Sequence, residues 1–379
     1  MKKRRSIVYV NFAPYDNAGK ILDYMLKNFS VVLHFSYDHL RLKKGRRSHL
    51  ILYEDEKIIF QKDLIWLRTN PWLLFPSLPF VAIAICLQTI WYTYRFKRKY
   101  GRFSNYLSVN AYTAWIGNCM RDLGLVRKTI YWVWDYYPIN HPDWRLRLMR
   151  ILYWRFDKPS RSSSDKVIFL NKNLQLTRNV ERKNSVIPMG TNPSHKNIST
   201  DDASDKIIIG YLGMLKKSQG LDLLFDNLEI LKNKIPKLRI EIIGSGPDEE
   251  YFKARAQKHA EVVTLYGFIE NNYDVEAIMK YWSLGLATYM PLAWSEHYWT
   301  DPSKIKAYLS AGIPVLMTNV PSFAQEVKQY KAGSVIHYDN EEFMQGVAQI
   351  IKKNRFFAKN AYRLAQKYRY TRLYPRLFN

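Results

Sequence analysis

The sequence predicts an α/β protein of two domains, the second built on a parallel sheet. Three observations lead there. A chain of 379 residues exceeds what a single hydrophobic core usually supports. From residue 206 onward, short apolar runs alternate with helix-like stretches, the pattern of βαβ units. Between the halves, "IPMGTNPSHKNISTDDASD" at 187–205 is polar and rich in turn-forming residues, and it marks the junction.

In the first half, strand-like segments fall at 7–12, 31–35, 106–109, 129–134 and 166–170. The start, "MKKRRSIVYVNFAP", reads as the first strand rather than a secretion signal. Its apolar run is short, is broken by Asn11 and Pro14, and lacks a small-residue cleavage site. In the second half, "KIIIGYLG" (206–213) ends in glycine and precedes a helix near 220–234. "LRIEIIGSG" (238–246) has a glycine-rich exit and then a polar helix near 247–259. "VVTLYG" (262–267), "LGLATYM" (284–290) and "IPVLMTN" (313–319) complete the strands. Ligands on parallel sheets bind beyond the carboxyl ends of the strands, where these glycines lie.

Composition narrows the partners. Two cysteines, Cys86 and Cys119, in no CxxC or Cys/His spacing, argue against a disulfide framework or a structural zinc site and fit a reducing compartment. Tyr and Trp make up much of an aromatic content of 15%, and such side chains suit boundaries between wet and apolar surroundings. The net charge of +25 is uneven. Residues 1–190 carry 33 basic and 13 acidic side chains, a net of +20, against 25 and 20, a net of +5, in the rest. The first half therefore meets something anionic: nucleic acid, a membrane surface or a phosphorylated substrate.

The stretch "WTDPSKIKAYLSAGIPVLMTN" (299–319) carries the chemistry. Asp301 is suited to a helix N-cap, Pro302 to the first helical position and Gly312 to the stop. The start of a helix offers free N–H groups and a partial positive charge, which bind phosphate. Lys304 in that first turn opposes the helix dipole, so it either serves an anionic ligand or is a solvated surface charge.

With its neighbours, "DPSKIKAYLSAGIPV" resembles the sugar-nucleotide loop and helix of GT-B glycosyltransferases, especially the retaining enzymes of family 4. Further blocks follow in the family's order: "GYLGMLKKSQGLDLL" (210–224), "IEIIGSGPDEEYF" (240–252), "VTLYGFIE" (263–270) and "AGSVIHYDNEEFMQGV" (332–347). "IYWVWDYYP" (130–138), "DKVIFLN" (165–171) and "VIPMGTN" (186–192) precede them. The resemblance covers nearly the whole chain. It implies two Rossmann-like domains with parallel sheets facing across a cleft: an acceptor domain at 1–190, a donor domain at 191–353, and a C-terminal helix at 354–379 returning to the first. It also implies transfer of a hexose-type sugar from a nucleotide-diphosphate donor, with retention and without a metal or other cofactor. The donor would meet Gly213, Lys216, Lys217, Gly244, Gly246, Phe268, Thr300, Asp301, Ser303 and Lys304.

Departures from the family pattern fall inside that site. Its two glutamates, eight residues apart, are replaced by Trp299 and Ala307, and the second normally binds the ribose hydroxyls. Its arginine and lysine facing the diphosphate are replaced by Met214 and Gln219, leaving the charge mainly to Lys304, with Lys216 and Lys217 as substitutes.

In "WVWDYYP", Trp134 stands where many members carry a histidine, and Asp135 follows it. A carboxylate orients hydroxyls and stabilises positive charge at an anomeric carbon, so Asp135 joins Lys304 as a catalytic candidate, with a loop anchor as its alternative role. Asn11 and Gly19 in the first β–α turn, with Trp134 and His141, form the expected acceptor side. Gly19 either permits close approach or closes a turn, and His141 reads as more structural than catalytic.

"PWLLFPSLPFVAIAICLQTIWYTY" (71–94) is uncharged and is followed by "RFKRK". Its length would span a bilayer, but a span would put strand 7–12 on the far side from the rest of its sheet. We expect a helix or helical hairpin entering one leaflet, held by Trp72, Leu73, Leu74, Phe75, Trp91, Arg95, Lys97 and Arg98, with an ordinary core helix as the alternative. The expected setting is therefore cytoplasmic and peripheral, on the inner face of an anionic cell membrane, with a lipid-linked or other glycan acceptor of cell-surface polysaccharide synthesis. Two rival readings remain. A nucleic-acid-binding protein would suit the charge but has no helix-turn-helix, RRM, KH or zinc signature. A GT-B sugar-nucleotide epimerase would not need an apolar, basic first domain.

Overall fold

The computed structural model describes residues 5–12, 15–38, 48–64, 74–178, 185–193 and 206–379. It divides into two compact units, Met1–Pro188 with Tyr370–Asn379, and Met189–Arg369.

The first unit holds an eight-stranded sheet among its described residues, ordered β4-β3-β2-β1-β5-β6-β7-β8. Its parallel strands are β1 (Ser6–Phe12), β2 (Val31–Tyr37), β5 (Phe103–Ser108), β6 (Val126–Val133), β7 (Lys166–Phe169) and β8 (Ser185–Val186). Near-continuous apolar runs such as "SIVYVNF" are what a strand buried on both faces requires. The sequence reading did not anticipate the antiparallel hairpin of β3 (His49–Glu54) and β4 (Lys57–Asp63) at the edge of the sheet. Its turn residues, Asp55 and Glu56, both take positive φ.

Helices α1 (Ile21–Asn28), α2 (Leu74–Tyr100), α3 (Ala111–Asp122), α4 (Trp144–Ser163) and α5 (Lys172–Leu176) connect these strands. Helix α2 is a single 27-residue helix that runs through Pro79 and on through the basic cluster. The helical hairpin considered for 71–94 is therefore corrected to one helix. Ile85, Tyr92 and Phe96 of α2 enter the same core as Leu33, Phe35, Tyr106 and Ile116. Helix α3 sits close on β5 because residue 117 is glycine: a Cβ there would lie 2.3 Å from the Tyr106 ring.

The second unit holds an all-parallel six-stranded sheet, β11-β10-β9-β12-β13-β14. The strands are β9 (Ile207–Leu212), β10 (Leu238–Ile243), β11 (Val263–Gly267), β12 (Leu284–Ala287), β13 (Val315–Thr318) and β14 (Gly333–Ile336). Between them run α6 (Asp222–Asp226), α7 (Leu228–Lys234), α8 (Glu249–Gln257), α9 (Asn272–Met279), α10 (Ser303–Ser310) and α11 (Ala324–Tyr330). Five strands lie where the sequence placed them, and β14 is a sixth. Helices α12 (Asn340–Lys352) and α13 (Asn354–Lys367) complete the unit, α13 packing on α10.

The expected third segment, 354–379, is thus divided. Its long helix stays with the second unit, and only the short α14 (Tyr370–Leu373) and α15 (Pro375–Phe378) join the first. Aromatic contacts hold them there: Tyr374 lies edge-on to Trp132 at 5.5 Å, and Phe378 stacks on Tyr24 at 5.8 Å.

Candidate functional site

In the second unit the site is built at the carboxyl ends of the strands. β9 exits into Gly213 and β10 into Gly244, at φ of +147° and +146°, conformations that side chains with a Cβ rarely adopt. A Cβ on Gly244 would lie 1.8 Å from the Gly213 carbonyl oxygen, and one on Gly246 2.4 Å from that of Leu215. The two turns are also hydrogen-bonded, Gly213 N–H donating to Ile243 O and Leu215 N–H to Ser245 O, both at 2.9 Å. These glycines bring two turns into contact, and the joined turns form the floor of the site.

Helix α10 delivers Lys304 onto this floor. The ammonium lies 3.2 Å from the Cβ position of Gly213 and over the rings of Tyr211 and Tyr289, at 4.4 and 4.8 Å. It donates a hydrogen bond of 2.8 Å to Gln219 Oε1, and among the described residues no carboxylate pairs with it. The residue is 8% exposed, and burial pushes its pKa down to about 7. The solvated-surface alternative for Lys304 is thereby excluded.

His297 holds Gln219 in turn, the Gln219 amide nitrogen lying 3.0 Å from His297 Nε2. Burial, followed by the nearby charges of Lys304 and Lys216 and against the opposing pull of Glu296, lowers the imidazole pKa to about 4. The ring is neutral at pH 7, so Nε2 can accept the amide proton. That choice turns the amide oxygen of Gln219 toward Lys304.

The other donor-side expectations divide. Lys216 is half-buried and close enough to His297 to oppose its protonation. Lys217 turns away: its ammonium lies 4.2 Å above the Tyr251 ring on α8, and its backbone N–H bonds to the Asp248 carboxylate at 2.8 Å. Asp301 is not the helix cap. Helix α10 begins at Ser303 with Pro302 in the cap position and no capping side-chain bond. Asp301 is instead buried against Lys306 and accepts from Met189 N–H at 2.9 Å, while Lys306 donates to Met189 O at 2.8 Å. A buried carboxylate with a cation in reach takes it in preference to exposed helix amides, so Asp301 anchors the loop. Ser303 is exposed at the start of α10, Thr300 is half-buried just before it, and Phe268 follows β11 at the same end of the sheet.

In the first unit Asp135 follows β6. Its carbonyl accepts from the Arg178 guanidinium at 2.7 Å and the Tyr153 hydroxyl at 3.3 Å, and its side chain is half-buried. Arg178 also stacks on Trp154 and Tyr136, at 4.8 and 5.2 Å. Behind it the fully buried Asp157 receives Arg161 at 2.8 Å and the Tyr131 hydroxyl at 3.0 Å. This network fixes the backbone at Asp135.

The remaining acceptor-side candidates each make contacts within the first unit. Trp134 is buried edge-on to Trp132 at 5.3 Å. His141 Nδ1 accepts from Asp143 N–H at 3.0 Å and closes the turn before α4. Asn11 is committed within the β1 exit, donating to Tyr15 O at 2.8 Å and to the Tyr9 hydroxyl and accepting from Phe12 N–H at 2.7 Å. Gly19, at φ +63°, closes a turn, and its carbonyl accepts from the Tyr374 hydroxyl at 2.6 Å. Of the membrane candidates, Trp72 and Leu73 lie outside the described residues, as do the side chains of Leu74 and Phe75 within α2. Trp91, Arg95 and Arg98 are exposed, and Lys97 is half-exposed. Among the described residues no three His, Cys, Asp or Glu side chains cluster as metal ligands.

Residues 195–369 match the family model of glycosyl transferases group 1. This region is a group 1 glycosyl transferase domain. The glycosyltransferase has the GT-B fold, on its likeness to several solved structures. One is a sucrose-phosphate synthase from Thermosynechococcus elongatus, at 15% identity and TM-score 0.69 over 99% of this chain and 97% of that one. Another is WaaG, a glycosyltransferase involved in lipopolysaccharide biosynthesis, at 14% identity and TM-score 0.66 over 98% of each chain. A third is HepE from Anabaena, solved in complex with UDP, at 14% identity and TM-score 0.64 over 98% of each chain. No curated protein sequence matches the chain.

Sequence reasoning missed His297, Tyr211, Tyr289 and Arg178 in the glycosyltransferase. His297 had one available signal, since it falls two residues before Trp299 in the loop that leads to α10.

Proposed function

We propose that this glycosyltransferase moves a hexose-type sugar from a nucleoside diphosphate donor, with retention and without a metal, to a lipid-linked glycan acceptor. The reaction is placed on the cytoplasmic face of an anionic cell membrane, in cell-surface polysaccharide synthesis. One observation carries the donor half: the Lys304 ammonium is buried on the glycine floor against a neutral amide and two aromatic rings, with no carboxylate paired to it among the described residues. A buried cation without a counter-ion is costly unless a ligand supplies one. A diphosphate would do so and would receive stabilisation as the bond from C1 to the diphosphate oxygen breaks and the electron pair leaves with it. The complex of HepE with UDP-glucose supports this donor class.

The acceptor half rests on α2. Phe80, Ile83, Leu87, Trp91 and Tyr94 are exposed at spacings of three and four residues, hence on one face, while Gln88, Thr89 and Thr93 are buried. A helix that shows its apolar side to the outside and ends in Arg95 and Arg98 suits the interface of an anionic bilayer. The test is calorimetry and donor hydrolysis across UDP-, GDP- and ADP-sugars. One donor class should bind and turn over, and binding should weaken by about 1.5–3 kcal/mol in Lys304→Ala. Failure of every nucleotide sugar to bind would remove the donor reading.

A further inference from the structure

We propose that the first half of α4 is a second membrane-contacting element, so that an anionic lipid surface meets the first unit at two helices rather than at α2 alone. The proposal rests on the membrane reading above but on different residues. Trp144, Leu148, Ile151 and Leu152 are 63%, 43%, 50% and 44% exposed. Their spacings of four, three and one place them in a single stripe along the helix. Isolated exposed leucines are ordinary; a stripe of four large apolar side chains led by a tryptophan is not.

The opposite side of α4 carries the polar groups. Asp157 and Ser160 are fully buried and Arg150 nearly so. Asp157 is satisfied by Arg161 and the Tyr131 hydroxyl, Ser160 by the Ala111 carbonyl at 2.8 Å, and Arg150 by the Pro138 carbonyl. Helix α4 thus buries polar groups that are hydrogen-bonded on one side and, like α2, leaves a stripe of large apolar side chains exposed on the other. Both helices pack against α3, which lies between them. Tyr112 and Trp115 of α3 touch Phe156 of α4 at 4.9 and 5.6 Å, and the Tyr112 hydroxyl donates to the Ala82 carbonyl of α2 at 2.6 Å. The two apolar stripes thus belong to helices of one layer.

Charge selects the occupant. Arg145, Arg147, Arg155 and Lys158 are exposed on α4, whose one acidic residue, Asp157, is buried. Helix α2 contains no acidic residue and ends in a basic cluster. A second copy of the chain would bring these like charges together. An anionic bilayer takes the apolar stripe into its interface and the arginines at its headgroups. Because α4 begins nine residues after Asp135, docking there would bring the acceptor side of the first unit to the lipid surface.

The test uses the purified full chain and vesicles of phosphatidylcholine with and without phosphatidylglycerol at physiological salt. Wild type should partition onto the phosphatidylglycerol vesicles. The variant Trp144→Ser with Leu148→Ser and Ile151→Ser should partition at least about tenfold less, the fold-change that burial of even one such apolar side chain gives, with nucleotide affinity unchanged. A fluorophore on Leu148→Cys should shift to the blue on those vesicles. If wild type binds, and Leu87→Ser with Trp91→Ser on α2 releases it, while the α4 variant binds as before and the fluorophore does not shift, the α4 proposal is overturned and the α2 reading stands. If wild type ignores the vesicles, both fall. A wild-type dimer that the α4 variant dissociates, with vesicle binding unchanged, would make the stripe a contact between copies and also overturn the proposal.

Discussion

Lys304 donates to the amide oxygen of Gln219 across 85 residues of sequence, at 2.8 Å. Position 219 is where the family resemblance leads one to expect a lysine facing the diphosphate. The glycosyltransferase has a neutral amide there and brings a cation to it from α10. A lysine bonded to an amide keeps its whole charge for a ligand, whereas one paired with a carboxylate spends it within the protein.

Lys304→Met is therefore expected to separate affinity from stability. Nucleotide-sugar binding should weaken by about 1.5–3 kcal/mol, the scale of a hydrogen bond to a charged group. Thermal stability should stay level or rise, because the substitution removes a desolvated cation of similar length. Calorimetry and melting curves on the same preparations check both. Equal affinities would take Lys304 out of the site.

The pH dependence of binding follows from the same residue. Burial lowers Lys304 from 10.5 to about 7. Between those values the unfolded chain binds the extra proton, so this group makes folding stability increase with pH across that window. Donor binding runs the other way, since the diphosphate wants the ammonium. Above pH 7 the free protein must take up a proton to bind, and affinity should fall by up to about tenfold per pH unit until the pKa of the bound state is reached. Titrations in buffers of different ionisation enthalpy would show the proton uptake. Lys304→Arg should flatten the profile, because a guanidinium stays charged. A wild-type affinity constant from pH 6 to 9 would refute the linkage.

Asp301 and Lys306 make a contrasting prediction. Asp301→Asn leaves the buried Lys306 ammonium facing an amide, and breaking a buried pair costs about 3–5 kcal/mol. The second unit should melt earlier, while nucleotide affinity of the folded protein is retained. An unchanged melting temperature with lost affinity would return Asp301 to the donor site.

How much of this the sequence shows depends on the distance over which each signal acts. Short apolar runs located β9 to β13, three of them ending in glycine, because strand and turn preferences are local, and Gly213 and Gly244 were recognisable by the same rule. The β3–β4 hairpin escaped notice because its turn is Asp55-Glu56, both at positive φ, without the glycine or asparagine that usually marks such turns. Asp301 was misread because Asp-Pro-Ser is a locally convincing cap, whereas the burial that pairs it with Lys306, and its second partner Met189, 112 residues away, leave no local mark. His297 reaches Gln219 over 78 residues, and no local pattern reports such a pairing. Lys304 was legible as a candidate because its position opposed the dipole of its own helix and its segment resembles a sugar-nucleotide loop; its burial was not legible.

Asp135 carries the last prediction. Its backbone carbonyl is held by Arg178 and Tyr153, whichever role its carboxylate plays. If the carboxylate stabilises positive charge at the reacting carbon, Asp135→Asn keeps shape and hydrogen-bonding capacity but loses the charge. Turnover should then fall by about 10²–10³, the usual cost of removing one electrostatic stabiliser. Donor affinity and melting temperature should hardly move. Arg178→Ala should act differently: it releases the Asp135 carbonyl and leaves Asp157 with one cation fewer, so it should lower stability as well as turnover. Single-turnover rates, calorimetry and melting curves on the two variants distinguish the roles. An Asp135→Asn protein with full turnover would remove the carboxylate from the chemistry, and one that melts early would make it the loop anchor.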